Sequence, residues 1–257
     1  MSIYTSFDMI MDCRAGKPEG WLHLITYFTP ACRLLLRHYG GGEESFAAFL
    51  ALLRGKVASL EPAPERQLVV WFRPLLLEAA GYPKKPGLGT LDLEILTTAF
   101  ADLTLVERQV VWFQTMQYID ADTARMVRAS EETVHKLRAK AAELLRANVD
   151  NWSLTLLSES GAELGEMARG EVREEPVAFN DYINILDGRL TWANRVPVER
   201  SLAASWHEVD HLCRIREADD VLRAGPPLTP EQAAPYFALA GVTPPKSSLW
   251  KRLLASR

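Results

Sequence analysis

The residues best suited to metal binding or nucleophilic catalysis lie close together at His207, His211 and Cys213. Two histidines one helical turn apart can bind one metal ion together. At about 100° per residue, however, Cys213 lies about 200° around a helix from His211, so the three side chains cannot share an ion without unwinding. The sequence also has no Gly-rich phosphate loop, no His-Glu-x-x-His and no Gly-x-Ser-x-Gly. We therefore predict a protein with no metal, no cofactor and no catalytic residues, which is not an enzyme.

A second group of side chains, between residues 120 and 146, suits nucleic-acid binding. Six basic and five acidic residues give this stretch a net charge of +1. With Val134, Leu137, Ala141 and Leu144 facing the core at helical spacing, the opposite face presents Glu132, His135, Lys136 and Lys140, with Arg138 at its edge. Such cations contact guanine edges or phosphates, and Arg125 and Arg128 just before them suit backbone contacts. The weak net charge leaves the alternative that this is an ordinary solvated helix face.

Helix start signals predict how this group is positioned. The Thr104-x-x-Glu107 capping box opens a helix through about Tyr118, and Asp120 or Asp122 opens a short one at 123–127. Ser130 then caps a longer helix from Glu131 to about residue 147. A short helix, a turn of about three residues and a longer capped helix make the helix-turn-helix pattern, and the small Ala124 suits its close crossing.

These residues carry a resemblance. The stretches at 103–111, 123–127 and 129–138 resemble the fourth conserved region of extracytoplasmic-function sigma factors, over about 55 residues. That family opens its recognition helix with Ser-x-x-Thr-Val-Lys, so the resemblance adds Ser130 and Thr133 to the expected DNA contacts. The chain departs from the family at Thr104, where Pro is usual, and at Arg128, where Gly usually makes the turn. A further departure is the acidic pair Glu131-Glu132 at the front of the reading helix, which repels phosphate.

The first 81 residues resemble the family's second conserved region, which binds the clamp of core RNA polymerase. Four helices are predicted there, at about 6–13, 19–39, 46–60 and 66–80, and the resemblance makes the third the clamp-binding helix. It implies polymerase contacts by Phe46, Phe49, Leu53 and Arg54. Trp71 stands where the family has a Trp-Leu pair. Its side chain is expected either to pack in the core or to stack on a DNA base. The cations that strand melting needs are missing after Trp71.

The remaining chain is predicted as two linkers and a third domain. Residues 82–89 form a Pro/Gly-rich linker, residues 90–149 the helix-turn-helix domain, and residues 150–176 an acidic linker. Residues 177–257 resemble the small zinc-binding domain of anti-sigma factors. Its ligand positions fall here on Ser201, Ser205 and Glu208, which are poor zinc ligands, so we expect a degenerate, metal-free copy.

Composition limits the class of protein. The 257 residues are 48% apolar and 24% charged with a net charge of −4, which excludes a disordered chain and a protein that coats nucleic acid through bulk charge. Cys13, Cys32 and Cys213 include no Cys-x-x-Cys pair, and no apolar run is long enough for a membrane helix. Asp8 and Asp12 stand where a signal peptide would have basic residues followed by an uninterrupted apolar stretch, so export is not expected. Helical periodicity dominates throughout. We predict an all-α protein in the cytoplasm with no membrane partner: two helical sigma-type domains and a small helical C-terminal domain.

The leading hypothesis is a sigma factor of the extracytoplasmic-function type, whose partners are core RNA polymerase and promoter DNA. Its fused C-terminal domain would regulate it. Two alternatives stay open. One is a sigma-like adaptor that acts through contacts with a regulatory protein partner, and the other is a stand-alone helix-turn-helix regulator.

Overall fold

The structure is a computed structural model that describes residues 4–82, 93–149, 153–171 and 177–243. Every regular element within these ranges is a helix, as the sequence predicts. The chain divides into two compact units. Unit 1 comprises residues 1–82 and 218–257, and unit 2 comprises residues 83–217.

Unit 1 begins with four α-helices: α1 (Ser6–Arg14), α2 (Pro18–His38), α3 (Glu43–Lys56) and α4 (Glu65–Ala79). A 3-10 turn at Val57–Ser59 follows α3. These bounds agree with the four helices expected from the sequence to within a few residues. Helix α1 has a capping box in which the Thr5 hydroxyl accepts from the Asp8 amide and the Asp8 carboxylate accepts from the Thr5 amide.

The core of unit 1 is aromatic and aliphatic. Phe72 of α4 makes edge-to-face contacts with Phe28 at 5.6 Å and with Phe49 at 6.0 Å between ring centroids. A later helix, α14 (Pro230–Leu239), packs on α2 and α3, and its Tyr236 ring contacts Phe46 edge-on at 5.3 Å. Helix α14 therefore completes the core that the first four helices begin.

Unit 2 is arranged around α6 (Leu105–Thr115), whose side chains are buried over most of its length. Before it lies α5 (Leu93–Ala99), and after it come α7 (Asp120–Val127), α8 (Glu131–Asn148), α9 (Leu154–Glu159) and α10 (Gly161–Gly170). Helices α7, α8, α9 and α10 contact α6 directly. Helix α10 begins close to α6, because a Cβ at Gly161 would lie only 1.8 Å from the Thr115 carbonyl oxygen.

Between α10 and α14 the chain forms α11 (Phe179–Asp187), α12 (Trp192–Ala203) and α13 (Trp206–Ala224). Helix α12 also contacts α6. Residues 206–217 of α13 belong to unit 2, where the Trp206 indole stacks on Trp112 at 5.2 Å. Residues 218–224 of the same helix belong to unit 1.

The structure differs from the predicted segmentation in two places. The expected acidic linker at 150–176 contains α9 and α10, because Leu157, Leu164 and Ala168 are fully buried despite the surrounding negative charge. The expected third domain at 177–257 does not pack as one body, since its residues up to 217 belong to unit 2 and the rest to unit 1. The expected linker at 82–89 lies, after Tyr82, outside the described residues.

None of the helices in the described ranges is long and apolar enough to cross a membrane.

Candidate nucleic-acid interface

The interface expected from the sequence depends on α6, whose start is fixed by the predicted capping box. The Thr104 hydroxyl accepts from the Glu107 amide at 3.4 Å, and the Glu107 carboxylate accepts from the Thr104 amide at 2.8 Å. The other Glu107 oxygen accepts from the Lys140 ammonium at 2.7 Å. Burial opposes ionisation of Glu107, but the hydrogen bonds from Lys140 and Thr104 outweigh it and lower the pKa. This carboxylate therefore ties α8 to the first turn of α6.

The turn between α7 and α8 is tight and has a left-handed residue at its first position. Arg128 adopts φ 59° and ψ 48°, which is the conformation that a Gly makes most easily. The Ala129 amide then donates to the Ala124 carbonyl at 2.9 Å and closes the end of α7. Ala124 is buried, as the close crossing of the two helices requires. Arg128 thus performs the backbone role of Gly and adds an exposed cation.

Helix α8 starts at the predicted cap and is held by one face. The Ser130 hydroxyl accepts from the Thr133 amide at 3.1 Å. Its buried residues are Val134, Ala141 and Leu145. Leu137 and Leu144, which the sequence places inward, are only half-buried. The buried face of α8 runs through Val134, Ala141 and Leu145 instead.

The opposite face of α8 is open to solvent over its first three turns. Five of the side chains expected to contact DNA are exposed there: Glu132, Thr133, His135, Lys136 and Lys140. Their cations have acidic neighbours: Lys136 pairs with Glu132 at 2.6 Å, and Lys140 with Glu107. His135 Nδ1 lies 3.5 Å from Asp120. This face is accessible, and it is close to neutral.

Arg138 is placed differently from the expectation that it contacts DNA. It is half-buried, forms an ion pair with Asp120, and donates to the Tyr118 carbonyl at 2.6 Å and to the Thr123 hydroxyl at 3.1 Å. Burial lowers the pKa of its guanidinium and Asp120 offsets part of that effect. Arg138 therefore fixes the start of α7 against α8.

The two arginines expected to contact the DNA backbone lie on the surface beside α8. Arg125 is exposed on α7 and pairs with Asp122 at 2.9 Å. Arg128 is exposed on the turn. Within the described residues, Arg125 and Arg138 pair with acidic side chains, whereas neither Arg128 nor Arg146, at the far end of α8, makes such a pair. Arg128, on the exposed turn, can therefore contact a phosphate without breaking an ion pair.

The residues expected to bind polymerase are mostly interior. Phe46, Phe49 and Leu53 are at most 1% exposed, because their spacing of three and four residues turns them into the core of unit 1. They cannot form a surface contact in this structure. Arg54 of the same helix is exposed and lies against Gly241. Trp71 is half-buried and packs edge-on against Phe72 at 5.9 Å.

Sequence reasoning missed a buried polar contact between α13 and the helix-turn-helix. The Trp112 indole donates to Asp210 at 2.9 Å, and Asp210 pairs with Arg214 at 2.9 Å. Two more pairs join the same elements: the Tyr118 hydroxyl donates to Glu217 at 2.6 Å, and Arg216 donates to the Met126 carbonyl at 2.8 Å. The sequence carries no clear signal of this contact, since charged residues interrupt the apolar positions of α13 along its length.

The residues first considered for metal chemistry occupy separate environments. His207 Nδ1 lies 3.0 Å from the Ala168 carbonyl, and His211 packs edge-on against Tyr182 at 4.8 Å. Cys213 is buried, with its sulfur 3.9 Å from the Gln109 carbonyl. Of the expected degenerate ligand positions, Glu208 is fully buried and accepts from the Val177 amide, at 3.3 Å. Within the described ranges, no three His, Cys, Asp or Glu side chains are grouped as a metal site would require.

Comparison of the chain with protein-family models, with curated proteins and with solved structures finds no match.

Proposed function

We propose that this chain is a DNA-binding transcription initiation factor of the sigma type, in which α8 enters the major groove. The observation that carries the proposal is the two-sided character of α8: one face is locked by Val134, Ala141 and Leu145, and the other is open to solvent. An α-helix with side chains is about 10–12 Å wide and fits a major groove of about 12 Å. The buried face fixes the helix so that the open face can be presented as a unit.

The contacts divide by position. Thr133, His135 and Lys136 lie on the first turns of α8, which is the part of a recognition helix that meets base edges. Arg128 and the first amides of α8 suit phosphate. The Lys136–Glu132 pair has side chains 71% and 77% exposed. Exposed pairs of this kind contribute about 0–1 kcal/mol, so exchanging Glu132 for a phosphate or a base costs little.

A second function, a sigma-like adaptor that acts through protein contacts, is favoured by the neutral surface of α8. Four of the six basic residues between 120 and 146 pair with acids: Arg125, Lys136, Arg138 and Lys140. DNA affinity depends on the number of phosphates that cations neutralise. An adaptor needs no such contacts. In both functions a regulatory role would fall to residues 206–217 of α13, whose Trp206 and Asp210 contact Trp112 of α6.

Transcription by the full chain with bacterial core RNA polymerase tests the proposal and separates the two functions. The full chain is required because α14 belongs to the core of unit 1, so truncation near residue 150 would remove part of that core. We expect selective run-off transcripts from a promoter library, and their loss in Lys136→Gln. The matched control is Arg195→Gln, which removes an exposed cation of unit 2 outside the helix-turn-helix. Polymerase binding without transcripts would favour the adaptor. Neither binding nor transcripts would overturn the sigma-type proposal.

A further inference from the structure

A cleft of about 260 Å³ opens on unit 1, between α2 and the segment 224–228 that leads into α14. Pro30 and Leu34 of α2 line one side, and Pro226 and Pro227 line the other. Arg33, Arg37 and Gln232 contribute the polar part of its wall. Ligand pockets for drug-sized molecules usually have volumes of about 300–1,000 Å³, so this cleft suits a smaller molecule.

The apolar walls are held in place by a proline inside α2. Pro30 has no amide hydrogen, so the Thr26 carbonyl lacks its usual helical donor four residues later. The Leu228 amide donates to this carbonyl at 2.9 Å and anchors the segment on α2. Gly225 permits the approach, since a Cβ there would lie 2.6 Å from the Pro30 Cβ. The second wall is therefore fixed before any ligand arrives.

The polar part of the cleft is positive. Arg33 and Arg37 lie one helical turn apart on α2, and none of the described residues that line the cleft is acidic. Arg33 is steadied by the Tyr236 hydroxyl, which accepts from it at 2.7 Å, and by an ion pair with Glu43. Arg37 is exposed and makes no ion pair within the described ranges. Gln232 accepts from the Thr229 amide at 2.9 Å through its oxygen, which leaves its amide hydrogens to donate.

We propose that this cleft binds a small organic carboxylate, with its apolar body between Leu34 and Pro226 and its carboxylate on Arg37. A guanidinium binds a planar carboxylate through two parallel hydrogen bonds. The ligand would contact α2 and the segment 224–228 together, so binding would stabilise the attachment of that segment to unit 1. The inference goes beyond transcription and rests on unit 1 alone, so it stands or fails independently of DNA or polymerase binding.

Titration of the full chain with benzoate, followed by amide NMR, tests the site. We expect saturable binding with a millimolar or tighter Kd, and shifts concentrated at Leu34, Gly225 and Leu228. Arg37→Gln should weaken binding at least about tenfold, because it removes a charge-assisted hydrogen bond. Arg37 is exposed, so this variant should fold normally. The matched control Lys56→Gln, which removes an exposed cation of unit 1 away from the cleft, should bind benzoate as the parent does.

Two analogues divide the proposal into its parts. Benzamide keeps the ring without the charge, and acetate keeps the charge without the ring, so we expect both to bind more weakly than benzoate. Equal binding of benzamide would contradict the role of the guanidinium, and equal binding of acetate would contradict the apolar walls. Absence of saturable benzoate binding, or an unchanged Kd in Arg37→Gln, would overturn the site.

Discussion

The interiors of the two units are built from different chemistry. Unit 1 is filled by aromatic and aliphatic side chains, and among the described residues Arg73 is its one buried guanidinium or carboxylate. Unit 2 buries Glu208, Asp210, Arg214 and Glu217 along one helix. Apolar packing tolerates exchange of one side chain for another of similar volume, whereas a buried charge needs its own partner. The interior of unit 2 should therefore tolerate fewer substitutions than the interior of unit 1.

The largest effect is expected where the buried ion pair of α13 is broken. Asp210→Ala removes an ion-pair partner of Arg214 and the hydrogen-bond acceptor of the Trp112 indole, and breaking a buried pair costs about 3–5 kcal/mol. Hydrogen exchange of the α6 and α13 amides measures this loss within unit 2. Glu199→Ala is the matched control, because Arg195–Glu199 has the same i,i+4 spacing on a more exposed helix and should cost at most about 1 kcal/mol. Equal effects of the two variants would remove the distinction between the interiors.

A smaller effect is expected from acid. Burial lowers the pKa of His211 to about 4, with Arg214 and His207 adding to the effect and Asp210 opposing it. The unfolded chain therefore binds a proton that the folded chain does not between about pH 6.5 and pH 4. The free energy of unfolding should fall as the pH falls through this window, by about 2–3 kcal/mol in total.

Comparing the acid-induced loss of stability of the parent with that of His211→Phe isolates the contribution of the imidazole, because the carboxylates titrate in both proteins. Urea unfolding at pH 7 and at pH 4 should show a smaller loss of stability on acidification in the variant. A loss as large as that of the parent would mean that His211 is not buried in its neutral form.

Local features of the fold could be predicted from the sequence, whereas contacts between distant residues could not. The Thr104–Glu107 box, the Ser130 cap and the helix-turn-helix spacing are local, and the structure has each of them where the residues indicate. The packing of α13 could not be predicted from polarity, because its buried carboxylates are satisfied by partners such as Tyr118, about a hundred residues away in sequence. Arg138 was expected on DNA for the same reason: a cation on a helix edge does not reveal that Asp120 and Tyr118 bind it.

In unit 1 we expect the core to tolerate a side chain of similar volume and different shape. Leu50 is fully buried, and Leu50→Met conserves its volume, so the free energy of unfolding should fall by less than about 1.5 kcal/mol. Urea unfolding monitored in unit 1 measures the change. A cost near that of Asp210→Ala would show that the apolar interior is as specific as the polar one.

The smallest effect on stability is expected at the turn, where stability and DNA binding should separate. Arg128→Gly relieves a left-handed residue but gains backbone freedom in the unfolded chain, so stability should change by about 0.5 kcal/mol or less. DNA affinity should fall because the unpaired cation is lost. Thermal unfolding and fluorescence anisotropy with a DNA duplex measure the two properties. Unchanged affinity would remove Arg128 from the interface.

The most direct test of the central claim, that α8 binds DNA, is selection of duplexes from a random library by the full chain with core RNA polymerase. We expect one enriched motif, bound with an affinity that falls as the salt concentration rises. Lys136→Gln should lose about 1–3 kcal/mol of binding and relax the preference at one base pair, and Arg195→Gln should keep the parent's affinity. No enriched motif, or an enriched motif bound equally by Lys136→Gln, would contradict the claim.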